Sequence, residues 1–357
     1  MQKNCSMKRQ SVNNRSAHRA KNAPGCGRSA PALVRICVLM ISLLFGAAPG
    51  HAACPSGAVS LYMPTPAGSQ LDALYDLLPD AWGAHFSETL RLTPMPGRGG
   101  SYAVSRLLDD ESDGCSLAAV IVPSVYFIAE TTDRMYNATD LDIAAVLASA
   151  PNAIWVTEES PFRSLADLVI HARAENEKAG GVFILAGTGR YTDQHMASLE
   201  FDRAAGVKSL YLPVLGSAQA IQAVKNGQAT ACWGYALTPE SMPGMRVLGV
   251  AGERRSSVLP EVPTFQELRV DMINVAHFAL ALRIKAPDEF GDMPAQPLRN
   301  ALTTLMADSE LRGRMAAKGF TPLALGPQEI GAFLEERRRE AASGLAAYDL
   351  IPRQLWR

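Results

Sequence analysis

The sequence is short of the signatures by which a chain advertises chemistry of its own. It contains no Cys-x-x-Cys pair, so a zinc ribbon or a dithiol redox site has no spacing to use. Neither a His-Glu-x-x-His pair nor a Gly-x-Ser-x-Gly elbow is present, which removes two common hydrolase frames. No apolar run reaches the roughly 20 residues of a membrane-spanning helix. Acidic residues are missing from the entire start of the chain, the first being Asp72. That start carries eight cations instead: Lys3, Lys8, Arg9, Arg15, Arg19, Lys21, Arg28 and Arg35. An apolar stretch of about 13 residues, Ile36 to Ala48, follows them, and Gly50-His51-Ala52 then supplies small residues. Basic, apolar and small in that order reads as a secretory signal peptide over residues 1–52, removed on export.

Losing that segment changes the charge balance. The chain has 34 Lys and Arg against 35 Asp and Glu; without the eight cations 26 remain, a net charge near −9. An acidic exported protein is a poor partner for nucleic acid or anionic lipid. It can still hold an anion where donors are concentrated locally. Cys54, Cys115 and Cys232 stay with the mature chain, enough for one internal disulfide and one free thiol. Cys54 follows Ala52-Ala53 in the manner of a lipoprotein, but His51 stands where that signal wants an aliphatic residue, so lipid anchoring is not expected.

What remains is rich in apolar residues, 48% against 19% charged, and long enough for two domains. Strand-like and helix-like segments alternate, the pattern of parallel sheets covered by helices. Ala58–Met63, Leu117–Val122, Ile143–Ala148, Ile154–Thr157, Val182–Ala186, Leu210–Val214, Ala229–Trp233, Arg246–Ala251 and Val275–Ile284 read as strands. Pro151 separates the third from the fourth. Helical spacing runs over Leu71 to Trp82, with Pro79 as a kink, and over Leu165–Ala174, Thr192–Ala205, Ala218–Asn226, Pro297–Lys318 and Pro327–Ala346.

Three glycine-rich turns each end a strand and open a helix. Pro64-Thr65-Pro66-Ala67-Gly68-Ser69, with Asp72 three residues on, is a helix-capping pattern that could also present free amides to an anion. Pro96-Gly97-Arg98-Gly99-Gly100-Ser101 reads as a tight turn. Ala186-Gly187-Thr188-Gly189-Arg190-Tyr191-Thr192 lacks dinucleotide spacing and P-loop lysine, yet sets hydroxyls and a cation at a helix start. His195 reads as a loop-supporting histidine rather than a general base.

In these blocks, taken in order, the chain resembles the receptors of the tripartite tricarboxylate transporter family, the Bug-type periplasmic receptors. The resemblance runs over about residues 58–350. It includes Pro64 to Asp72, Pro96-Gly97-Arg98-Gly99-Gly100 with Asp113-Gly114, Ser149-Ala150-Pro151-Asn152 and Gly187-Thr188-Gly189 with His195-Met196-Ala197. Leu212-Pro213-Val214 with Gly216-Ser217-Ala218, and Leu259-Pro260-Glu261-Val262-Pro263-Thr264, complete it.

The resemblance implies an α/β, two-lobed periplasmic binding protein fold of the second type. Each lobe would be a mostly parallel sheet flanked by helices, joined by a two-strand hinge at Asn152–Val156 and Asn274–Ala279. Lobe one would comprise residues 53–152 and 276–357, lobe two residues 153–275. The implied function is capture of a small carboxylate in the periplasm and delivery to membrane permease subunits, by a monomer without catalytic residues, metal or cofactor. A sensory receptor for a signalling partner, an exported hydrolase using Ser69 or Thr192 with His195, and a binder that has lost its ligand are the alternatives. The ligand set carried over is Ala67, Gly68, Ser69 and Asp72 in lobe one. In lobe two it is Gly187, Thr188, Gly189 and His195, with Gly216, Ser217 and Ala218 nearby. Ser124, Arg190 and Trp233 are added as candidates from this sequence, the last two being departures from the family pattern; Arg190 could pair directly with an anion. Gln70 and Leu71 stand where small or hydroxyl residues are common in the family, and Trp233-Gly234-Tyr235 suggests a more aromatic cleft. Cys54 and Cys115 precede strands expected to be neighbours, so a disulfide between them is expected in an oxidising compartment. Cys232, inside an apolar strand, is expected to be a buried thiol.

Overall fold

The computed structural model describes residues 54, 56–110, 114–131, 135–284, 295–348 and 350; the expected signal peptide and Asp113 lie outside the described residues. Ala58–Met63 (β1) is apolar and buried along nearly its whole length, as an interior strand of a parallel sheet must be. After Asp72–Tyr75 (α1) and Leu78–His85 (α2), Thr89–Pro94 (β2) pairs with β1 in parallel. Ser101–Leu108 (α3) then leads to Ser116–Val122 (β3), parallel to β1 on its other side, and to Ser124–Thr131 (α4).

Leu141–Thr157 (β4) is 17 residues long and runs through both halves of the molecule. The second half holds Leu165–Glu177 (α5), Ile184–Thr188 (β5), Asp193–Ala205 (α6), Leu210–Val214 (β6), Ser217–Lys225 (α7), Ala231–Tyr235 (β7) and Met245–Val250 (β8). The chain returns along Val275–Arg283 (β9). Ala295–Ala307 (α8), Ser309–Ala317 (α9), Thr321–Pro322 (β10) and Pro327–Ala347 (α10) then complete the first half.

The strand order is β2-β1-β3-β9-β4-β7-β5-β6, with β8 and β10 added on β4. Strands β2, β1 and β3 are parallel, as are β7, β5 and β6. The crossing strands β4 and β9 pair antiparallel with their neighbours. Each half therefore has parallel outer strands and an antiparallel seam at the centre.

Side chains alternate across β4 and β7, so each sheet faces two cores. In the second half Ile154 and Trp233 pack with Phe201 and Phe265 on one side, while Trp155 and Cys232 pack with Ala186 and Val250 on the other. Cys232 is fully buried, and burial pushes its thiol up to about 12. In the first half Leu61, Trp82 and Phe278 share one core, and Val120, Phe127 and Ala279 the other. Cys54 and Cys115 are bridged, with Cα atoms 5.6 Å apart, beside the paired strands β1 and β3.

Two elements differ from the sequence reading for identifiable reasons. Pro151 does not end a strand, because β4 changes partners there. Pro151 is opposite Val275 of β9, and Asn152 is opposite Tyr235 of β7, so the missing proline N–H has no ladder bond to make. The helix expected over Pro297–Lys318 is broken at Asp308, whose Oδ1 accepts from the amides of Glu310 and Leu311 and starts a new helix. Helical periodicity continues across that break, which hides it.

Candidate functional site

The carboxyl ends of β1 and β5 face each other, the position where open α/β sheets take ligands. Between them lies a cavity of about 460 Å³, within the usual range of small-molecule pockets. Its first-half wall is Pro64 and Thr65 after β1, Gly97, Arg98 and Gly99 after β2, and Ile121 and Thr131. Its second-half wall is Thr188, Gly189, Arg190, Tyr191 and Thr192 after β5, and Pro213, Val214 and Leu215 after β6. Two arginines and four threonines stand among these lining residues, and no Asp or Glu.

The walls meet at two glycines. Gly99 and Gly189 both have positive φ, and a Cβ on Gly189 would fall 2.8 Å from the Gly99 Cα. Only glycine at these positions lets the two loops touch. The tight turn read at Pro96–Ser101 is thus part of the wall, a role that its glycines signal no more clearly than an ordinary turn would.

The expected ligand residues divide. Thr188, Gly189 and Arg190 line the cavity; the others do not. Asp72 Oδ2 accepts from the Gly68 and Ser69 amides, and Ser69 Oγ donates to Thr65 Oγ1 and Asp72 Oδ1. The first turn therefore caps its own helix. Ala67 and Gly68 are exposed beside it. Gly187 is buried against Tyr211, Gly216 against Pro66, and Ala218 is exposed on α7. Ser217 Oγ accepts from the Gln70 amide at 2.7 Å.

Trp233 is fully buried, its Nε1 donating to Ser198 Oγ at 2.9 Å, so it gives the cleft no surface. This corrects the expectation of an aromatic wall at that strand. The cavity's aromatic residue is Tyr191, which has a positive φ of 59° and no sequence signal. The Thr188 amide and hydroxyl both donate to Gln194 Oε1. His195 sits beneath the loop: its Nδ1 accepts from the Tyr191 amide at 3.1 Å, and its ring packs 4.6 Å from that of Tyr211. Burial, with Arg190 nearby, pushes the imidazole down to about 4, so it is neutral at physiological pH. Its bonded neighbours are structural, and Ser69 is tied to Asp72 rather than to this ring.

Behind the cavity lies a buried polar chain. Ser124 Oγ, from the first half, donates to Asp193 Oδ1 and accepts from the Asp193 amide. Asn152 Nδ2 donates to Asp193 Oδ2 at 3.0 Å and to Asn274 Oδ1 at 2.7 Å. Asn274 Nδ2 continues to Glu200 Oε2 at 2.9 Å. The two points where the chain crosses between halves, Asn152 and Asn274, are thereby bonded to each other and to α6. Burial raises the Asp193 carboxyl above its ordinary value, against the lowering effect of the Asn152 and Ser124 bonds.

Burial pushes Glu200 up from 4.5 to about 7, against Asn274 and Arg203 and with help from Glu340. A carboxyl that keeps its proton better when folded makes the native state bind more protons between those two values. Its contribution therefore falls as pH rises through that window and stays low above it. Glu200→Gln keeps an acceptor for Asn274 and removes the titration. The variant should match the parent protein at the acid end of the window and exceed it by about 2 kcal/mol above neutrality, after allowance for partial exposure. Urea unfolding at both pH values measures this; a difference that does not change with pH would contradict it.

The fold and cleft define a two-lobed binding protein of the periplasmic type. The sequence matches the tripartite tricarboxylate transporter family receptor over residues 85–344, and the chain belongs to that family. It is 26% identical over 288 residues to the UPF0065 protein in the gbd 5'region of Cupriavidus necator, covering 79% of this chain and 84% of that one. A similar protein of Agrobacterium vitis, in the TAR-I ttuE-ttuC' intergenic region, is 25% identical over 276 residues, covering 76% and 77%. Among solved structures, the periplasmic binding protein BugD superposes with a TM-score of 0.71 at 16% identity, covering 85% of this chain and 99% of that one. Rpa4515 of R. palustris with adipate gives 0.70 at 20% identity, covering 82% and 97%. MatC of Rhodopseudomonas palustris with bound malate gives 0.64 at 17%, covering 83% and 99%. These likenesses show the two-lobed fold. Among the described residues, no helix is long and apolar enough to cross a membrane.

Proposed function

We propose that this chain is an extracytoplasmic receptor that captures a small organic anion, a carboxylate, between its lobes and delivers it to a membrane permease. The lobes are residues 53–152 with 276–357, and 153–275. The observation that carries this reading is the cavity at the facing strand ends, lined by Arg98 and Arg190 without an acid. Such a lining favours an anion through charge-assisted hydrogen bonds. Water excluded from the closed cleft would otherwise screen those bonds. A solute touching both walls binds the closed form better than the open one and shifts the population toward it by that difference. A permease can then read the closed shape. The adipate and malate held by proteins of the same fold support a carboxylate as the guest.

Native mass spectrometry of freshly purified mature protein tests the proposal. The expected result is a species heavier than the polypeptide by the mass of one small organic acid, lost on gentle activation. Apoprotein alone, remaining so after incubation with a panel of di- and tricarboxylates, would contradict it.

A further inference from the structure

The walls of the cavity touch at two places, and glycine makes both contacts. The first joins the loops after β2 and β5. A Cβ on Gly189 would fall 2.8 Å from the Gly99 Cα and 3.1 Å from its amide nitrogen, and a Cβ on Gly99 would fall 3.2 Å from the Arg190 carbonyl oxygen. The second joins the loops after β1 and β6, where a Cβ on Gly216 would fall 3.0 Å from both Cγ and Cδ of Pro66. Arg98 and Arg190 adjoin the first contact, Thr65 and Leu215 the second, and all four line the cavity.

Non-bonded carbon atoms pack at about 3.5–4.0 Å. At both contacts the added atom would come nearer than that. What it would meet cannot swing aside: backbone at Gly99, a proline ring at Pro66. The remaining near atoms at the first contact, Ile128 Cδ1 and Thr192 Cγ2, end side chains. A side chain at Gly189 would therefore hold the two walls about 1 Å further apart. Gly216 has a φ of −168°, extended backbone that any residue adopts, so conformation does not account for a glycine there. Close approach to Pro66 of the other wall does.

We propose that these two contacts are the stops on which the cleft shuts, and that they gauge the solute. The separation they set decides how long an acid must be to touch both walls. With Gly99 against Gly189 the backbones themselves meet, and an acid that spans the remaining gap is selected over longer and shorter ones. The inference rests on capture by closure, as read above.

The test is isothermal titration with straight-chain diacids of four to eight carbons. The protein is first unfolded and refolded, disulfide intact, to strip small molecules. The parent should bind one length best. In Gly189→Ala the affinity for that acid should fall at least roughly tenfold, from the loss of a charge-assisted hydrogen bond at one wall, and the optimum should move to a longer acid. Gly216→Ala, which adds a methyl without backbone strain, should move the preference the same way by a smaller factor. Gly227→Ala reports strain alone: its φ of +71° is close to the +67° of Gly189, but a Cβ there meets nothing within 4 Å. Its preference should be that of the parent. A parent indifferent to length, a preference that neither Gly189→Ala nor Gly216→Ala moves, or one that Gly227→Ala moves as far, would overturn the gauge and leave capture intact. A parent that binds no acid of the series would overturn the gauge as well, and one that also binds no citrate would overturn capture with it.

Discussion

Replacing Asp193 with alanine should cost the folded protein about 3 kcal/mol and loosen its lobes at the same time. Its carboxylate is fully enclosed and receives the Asn152 amide and the Ser124 hydroxyl, one from a crossing strand and one from the opposite lobe. Removing it strands those donors in a place water cannot readily reach, and an unmet buried polar group costs about 1–3 kcal/mol. Part of the loss is returned, because burial already disfavours the charged carboxyl. In a protein of this size the net corresponds to a fall in Tm of roughly 6–10 °C. Asp193→Asn, with a donor where two acceptors are needed, should fall in the same direction. Thermal unfolding followed by circular dichroism measures both; variants within a degree of the parent would show that the buried chain is not holding the lobes.

The second large effect is expected at the disulfide. Cys54 and Cys115 are 61 residues apart in sequence, so their bond closes a long loop in the unfolded chain. Loop-closure entropy for that length gives about 4 kcal/mol, with measured values for native bridges spanning roughly 2–5. The bridge also secures the segment leading into β1, whose far end carries the first turn of the cleft. The double variant Cys54→Ser, Cys115→Ser should therefore lose about 3–4 kcal/mol in denaturant unfolding. Adding reductant should do the same to the parent protein and nothing to the variant, since Cys232 is buried and unpaired. A double variant as stable as the parent would mean that the bridge contributes nothing to the folded lobe.

How much of this was legible in the sequence depends on the reach of the interactions. Strand β1 is visible because an apolar run stops at Pro64 and Pro66, and β6 because Leu210–Val214 stands between polar segments. Both flanks of β4 are visible as Ile143–Ala148 and Ile154–Thr157, but their continuity is not, because Pro151 is tolerated only through an exchange of partners that no local pattern records. The loop from Gly187 to Thr192 can be picked out by its glycines and hydroxyls, and it does reach the cavity. The first turn carries an equally suggestive pattern, but Asp72 takes up its amides, so a cap and an anion site look alike until the carboxylate is placed. Ser124 and Asp193 are 69 residues apart, and Gln70 and Tyr235 are 165 apart. Contacts over such separations are decided by topology, and a single sequence offers no signal for them.

The proposed capture depends most on a carboxylate meeting Arg190, which is exposed at the second wall of the cavity. Isothermal titration of stripped protein with adipate, malate and citrate tests this directly, for the parent and for Arg190→Ala. At least one acid should bind with one-to-one stoichiometry. The variant should bind it roughly 10–100-fold more weakly, the loss of a charge-assisted hydrogen bond of about 1.5–3 kcal/mol, while unfolding at the same temperature. Saturable binding that Arg190→Ala leaves unchanged, or no binding of any acid by folded protein, would contradict capture at Arg190.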